Sequence, residues 1–304
     1  MIPARRPRRW SLTFGLSAAL SLAAGLALLA LLTVFILQSL PVWRHTGWDF
    51  LSGKTWFYRQ ETFGIAPMIY GSLAVAAVAL GLAVPLGLGA AVFTAEFLPA
   101  RWRLGMKMGI ELLAGIPSVV YGLLGILVLR GWVYGGFPSF DPLSGDTLLT
   151  GGLLLAVMIL PTLISLGDDA LRAVPGSQRL AARALGLNAS EAAWHVALPQ
   201  ALPGLAAAVM LAAGRACGEM IAVFLVIGRQ DNQWPQTLLS FPPLLSAGQT
   251  LATKLGSSET NIAYGDPLHW AAMMALGLVL LAIVTALTLL GVVLQSRHRR
   301  PHEA

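Results

Sequence analysis

Two ionisable side chains, Arg215 and Glu219, stand inside the apolar run AAVMLAAGRACGEMIAVFLVIG at 207–228. Four residues apart, they are expected on one face of a helix. An ionised group at the centre of a membrane span costs about 2.5–3.5 kcal/mol on insertion scales, so two of them there require a purpose. One purpose is a neutralising ion pair that packs a bundle. The other is a polar passage, since intramembrane charges mark substrate routes. Arginine offers a planar fork of donors suited to a tetrahedral oxyanion. A neighbouring carboxylate repels a fully deprotonated anion but accepts the O–H of hydrogenphosphate, a group that sulfate lacks at neutral pH. The pair therefore suits phosphate better than sulfate.

Other candidates for chemistry fail on spacing. Gly53-Lys54-Thr55 has the ending of a phosphate-binding loop, but Trp48 occupies the position that needs the first glycine. No other GK[ST] occurs, so ATP is not expected to bind this chain, and no cofactor or metal is expected on it. His45, His195, His269, His298 and His302 never pair at metal-ligand spacing. No G-x-S-x-G elbow is present, and the single Cys217 allows no intramolecular disulfide. The residues point away from an enzyme.

A second segment of interest is RLAARALGLNASEAAWHVALP at 179–199, lying between two apolar blocks. Helix formers precede Gly186, a natural helix stop. Asn188 then stands three residues before Glu191, the spacing of a capping box. Pro199 is expected to end the second short helix. The segment from 168 to 200 thus reads as helix, turn and helix, either an interfacial amphipathic element or a docking element for a soluble partner.

These residues must be held by a membrane bundle. Of the 304 residues 56% are hydrophobic and only 11% charged, against about 25% charged in soluble domains. Apolar blocks at 14–40, 66–95, 106–129, 148–167, 203–228 and 269–294 each suffice to cross a bilayer, giving an all-α fold with six transmembrane helices. The first block exceeds a signal h-region and lacks an A-x-A site, so it is expected to remain as a span. The net charge of +6 does not indicate nucleic acid, because the basic residues flank apolar runs without interleaved aromatics. Thirteen Lys and Arg fall in the N-terminal tail, 96–107, 168–200 and the C-terminal tail, against six on the other side. The positive-inside rule then places both termini and the 168–200 segment in the cytoplasm. Trp43, Trp48, Trp56, Trp234 and Trp270 belong to the outer segments, at interface level. Gly214 and Gly218, and Gly81, Pro85, Gly89 and Pro117, suggest close helix packing and kinks around a buried cavity. Three parts result: 1–64 with the basic tail, first helix and periplasmic loop; the transmembrane domain 65–295; and the tail 296–304.

The 179–199 segment resembles the cytoplasmic signature of ABC-importer permeases, E-A-A, three residues, G, nine residues, I, one residue, L-P. Leu180-Ala181-Ala182, Gly186, Val196 and Leu198-Pro199 keep that spacing, with Leu for Glu and Val for Ile. The literal Glu191-Ala192-Ala193 fails, because its glycine would fall on Ala197. ELLAGIPSVVYGLLG at 111–125, MILPTLISLGDDALRAVPGSQRLAARALG at 158–186 and GRACGEMIAVFLVIG at 214–228 are similar to the phosphate ABC transporter permeases, nearer the PstC type than its PstA partner. The resemblance implies an ABC type I importer permease fold in a bacterial inner membrane. It also implies a second, PstA-like permease, two PstB-like ATPases that carry ATP and Mg, a periplasmic phosphate-binding protein, and contact with membrane lipid. Leu180, Ala181, Ala182, Leu185, Gly186, Val196, Leu198 and Pro199 would then seat in the ATPase, and Arg215 and Glu219 would line the path. Permeases for sulfate, molybdate or phosphonate, and a membrane sensor of phosphate signalling, are the alternatives.

Overall fold

The computed structural model describes residues 12–138, 143–235, 237 and 240–298. The basic tail 1–11 and residues 299–304, on which part of the charge count falls, lie outside them. The chain is almost wholly helical. Its long helices are α1 (Leu12–Thr46), α2 (Ala66–Phe97), α3 (Ala100–Ala114), α4 (Ser118–Gly136), α5 (Leu148–Arg172), α6 (Gly176–Ala184), α7 (Ala189–Gly218) and α8 (Pro267–His298). Six of them (α1, α2, α4, α5, α7 and α8) are long and apolar enough to cross a membrane.

Four expected spans match these helices closely, and two are displaced for identifiable reasons. The block at 106–129 is divided. Pro117 has no N–H to give and disfavours a helical residue before it, so α3 stops at Ala114, Gly115 donates back to Glu111 O at 3.0 Å, and α4 restarts at Ser118. The charged half of that block becomes a separate helix, and the crossing helix is 118–136. The block at 203–228 is displaced toward the N-terminus. Helix α7 begins at Ala189 and ends at Gly218, where Glu219 turns extended with φ −71° and ψ 121°.

Pro199 does not end a helix. The chain runs through it by one wide turn in which Leu198 N–H bonds back five residues to Ala193 O. That turn absorbs the missing proline N–H, and wide turns of this kind sit inside continuous helices.

The centre of the bundle is α2 against α5, with α7 closing the third side. Val75, Ala79 and Ala83 meet Leu155, Ile159 and Leu163, and Ala212 and Ala216 complete the layer. Small residues set the spacing. A Cβ on Gly87 would lie 2.9 Å from Leu163 Cβ, whereas Gly81 and Gly89, expected to pack closely, face open space. At Gly214 a Cβ would meet Thr288 Oγ1 of α8 at 3.3 Å, so the expected close packing of that helix pair is present.

One end of the bundle is capped by loops. A two-stranded hairpin pairs β1 (Trp56–Phe57) with β2 (Thr62–Phe63), and Trp56 and Phe63 pack with Phe50, Met68, Leu251 and Ala271. Gly53-Lys54-Thr55 belongs to this cap, where Lys54 Nζ lies 5.0 Å from the centre of the Trp234 ring. The opposite end carries α6 and the turn into α7.

Candidate functional site

Arg215 occupies the last turn of α7, three residues before the helix ends. Its Nη1 donates to Thr162 Oγ1 of α5 at 3.2 Å. It also lies within electrostatic reach of Tyr121 on α4, whose hydroxyl donates to Leu113 O at 2.8 Å across the α3–α4 break. Glu219 does not share a helical face with Arg215, because the helix is already broken when the chain reaches it. Its Oε1 instead accepts the N–H of Ala222 at 3.3 Å, capping a short helix Ile221–Phe224. Among the described residues no ion pair joins the two, which removes the bundle-packing salt bridge as their purpose. The break leaves a guanidinium and a carboxylate flanking non-helical backbone, an arrangement membranes tolerate only where protein or a water-filled cavity surrounds it.

The 179–199 segment folds as the local rules dictate. Helix α6 closes with Gly186 N–H on Arg183 O at 3.0 Å and Leu187 N–H on Ala182 O at 3.2 Å, a paired closure that needs the left-handed Gly186 at φ 91°. Asn188 and Glu191 form the reciprocal cap, with Glu191 N–H on Asn188 Oδ1 at 2.9 Å and Asn188 N–H on Glu191 Oε2 at 2.8 Å. Arg179 anchors α6 to the bundle through Glu96 at 2.6 Å and the carbonyls of Val174 and Leu171. The projecting edge is apolar: Leu180 is 67% exposed, Leu185 83% and Trp194 57%. Ala181 and Pro199 are exposed, Val196 and Leu198 are half-buried, and Ala182 is buried. Helix α6 is thus anchored to the bundle on one side and presents Leu180 and Leu185 on the other.

A third constellation at the loop-rich end escaped the sequence reading. Lys254 is 1% exposed and bonds Asp231 Oδ2 at 2.6 Å and the Glu259 carboxylate. Glu259 Oε1 also accepts from Trp56 Nε1 at 2.5 Å and meets His269 Nε2 at 2.9 Å. Burial pushes the Asp231 carboxyl up, and Lys254 offsets this only in part. Burial acts on Glu259 in the same direction, but the hydrogen bonds from Lys254, Trp56 and His269 outweigh it and hold that carboxyl low. The signal available in the sequence was one lysine in a long loop that also holds Asp231 and Glu259 among its four acids, with irregular spacing that fits no motif. His269, read from the sequence only as not paired at metal-ligand spacing with another histidine, is fully buried and stacks on Tyr58 with ring centres 5.0 Å apart. The cluster clamps the hairpin to the 219–266 loop.

A bundle of crossing helices, one broken at a charged pair, with an anchored helix turned outward beside it, defines an integral membrane transport component. The chain belongs to the family of binding-protein-dependent transport system inner membrane components, whose model matches residues 83–300, and has the ABC type I importer permease fold. It is 35% identical over 91% of its length to the phosphate transport system permease protein PstC of Mesorhizobium japonicum, covering 88% of that protein. It is 36% identical over 93% of its length to the probable ABC transporter permease protein YqgH of Bacillus subtilis, again covering 88%. A PstC protein of Pasteurella multocida is 34% identical over 86% of the chain and 83% of its own length.

Proposed function

We propose that this chain is the permease subunit of an ATP-driven phosphate importer, forming the path across the inner membrane and coupling to a separate ATPase. The observation that carries the reading is Arg215, a membrane cation with a hydroxyl for a neighbour and, among the described residues, no carboxylate paired to it. An arginine so placed keeps donors for an anion. Glu219, fixed across the helix break by Ala222 N–H, accepts the O–H of hydrogenphosphate, and this favours phosphate over sulfate. The names carried by the relatives support the same substrate.

The edge formed by Leu180, Ala181, Leu185, Gly186, Val196, Leu198 and Pro199 seats in an ATPase subunit, two of which carry the ATP and Mg, while Ala182, expected on that edge, is buried and packs beneath it. A second, PstA-like permease completes the path, and a periplasmic phosphate-binding protein delivers the anion to the loop-rich end. Both termini lie in the cytoplasm. The test is ATP-dependent uptake by the complex in proteoliposomes with phosphate, arsenate and sulfate. Phosphate uptake with sulfate excluded, abolished by Arg215→Ala and impaired by Glu219→Gln, is expected; normal phosphate uptake by an assembled Arg215→Ala complex overturns the role.

A further inference from the structure

From Thr162, the partner of Arg215, helix α5 continues through Ser165, Asp168 and Arg172 toward α6. Helix α3 lies beside this stretch, and a cavity of about 340 Å³ opens between the two. Its polar wall includes Arg103, Lys107, Glu111, Ser165 and Asp168. Arg172 is occupied by both oxygens of Asp168, at 2.6 and 3.1 Å. Arg103 is held by the carbonyls of Leu98 at 2.8 Å and Ala95 at 3.4 Å, so its charge is fixed in place without being neutralised. Lys107 and Glu111 differ from these. Among the described residues neither side chain has a hydrogen-bond or ion-pair partner. They stand four apart on an unbroken helix, facing the same cavity, yet do not close on each other.

An ammonium, a carboxylate and a hydroxyl around one cavity repeat the chemistry of Arg215, Glu219 and Thr162. Anionic oxygens bind the ammonium and the fixed Arg103 charge favours them, while a protonated phosphate oxygen donates to the carboxylate. We propose that the cavity between α3 and α5 is a second phosphate station, in which Lys107 and Glu111 bind the anion after it leaves Arg215 and Ser165 forms the adjoining wall. This rests on the reading of Arg215 as the phosphate path. A lipid headgroup offers the same phosphate chemistry, so the experiment separates the two sources.

The wild-type complex with its ATPase and binding protein, and Lys107→Gln, Lys107→Arg and Glu111→Gln forms of it, are reconstituted in vesicles of neutral lipid and of neutral lipid with phosphatidylglycerol. Losing a charge-assisted contact is expected to slow phosphate uptake about tenfold in Lys107→Gln, with Lys107→Arg largely restoring it, in both lipid mixtures. In parallel, Ser165→Cys in a Cys217→Ser background is titrated with a methanethiosulfonate reagent. Phosphate should slow labelling severalfold where sulfate does not, and Lys107→Gln should abolish that protection. Labelling indifferent to phosphate in a complex that still transports it overturns the proposal. A Lys107 effect confined to phosphatidylglycerol vesicles also overturns it, in favour of a headgroup. Failure of the wild-type complex to take up phosphate at all overturns the Arg215 reading first, and this station with it.

Discussion

Lys254 is buried whereas Arg215 is exposed, and the partners of the two cations differ accordingly. Lys254 gives two of its three N–H groups to carboxylates and lies 4.9 Å from the centre of the Trp56 ring, contacts that hold the cap together. Removing one member of a buried ion cluster strands the others, at a cost of about 3–5 kcal/mol. Lys254→Ala is therefore expected to destabilise the cap by that order, read as a lower unfolding midpoint in detergent, and Asp231→Asn with Glu259→Gln in the same chain should recover part of it. The cluster also sets a pH response. Because the Glu259 carboxyl is held below its ordinary value of 4.5, its contribution is complete above that pH and is lost as the pH falls through the depressed value. Acid unfolding of wild type should thus show a component that Glu259→Gln lacks; superimposable acid profiles would contradict the coupling.

At the scale of elements, the two helix breaks decide what the apolar text could reveal. Six crossing helices were legible because a run of about 20 apolar residues has few other uses, and the Gly186 turn and Asn188 cap were legible because each has a local cause. A kink at Pro117 was legible, though not that it divides the block into two helices, and the break at Gly218 was not. Hydropathy is continuous across 207–228, so nothing in composition marks the residue where Glu219 leaves the helix to cap Ala222, and a periodic reading places it beside Arg215. Thr162 and the Lys254 cluster were equally hidden, since their partners come from distant segments. Gly186 carries the sharpest prediction here. At φ 91° a Cβ is strained though no atom crowds it, so Gly186→Ala should cost about 1–2 kcal/mol locally. Gly186→Asp adds a charge on the exposed edge beside Leu185 and is expected to uncouple ATP hydrolysis from transport. Substrate-stimulated ATPase activity unchanged from wild type in the reconstituted Gly186→Asp complex would rule out that role.

For the whole molecule, the proposed topology has six crossings that return the chain to the side on which it started, and the excess of Lys and Arg is the argument for placing that side in the cytoplasm. The geometry makes this assignment testable without disturbing the bundle. Trp48 is 81% exposed at the loop-rich end and Leu185 is 83% exposed at the other, while the single native thiol, Cys217, is buried. In a Cys217→Ser background, Trp48→Cys is expected to react with an impermeant maleimide applied to intact spheroplasts. Leu185→Cys should react only after the membrane is opened. If α6 is the seat of the ATPase, adding that subunit to opened membranes should also slow labelling of Leu185→Cys and leave Trp48→Cys unaffected. Labelling of Leu185→Cys from outside would invert the topology and, with it, the direction in which Arg215 passes its anion.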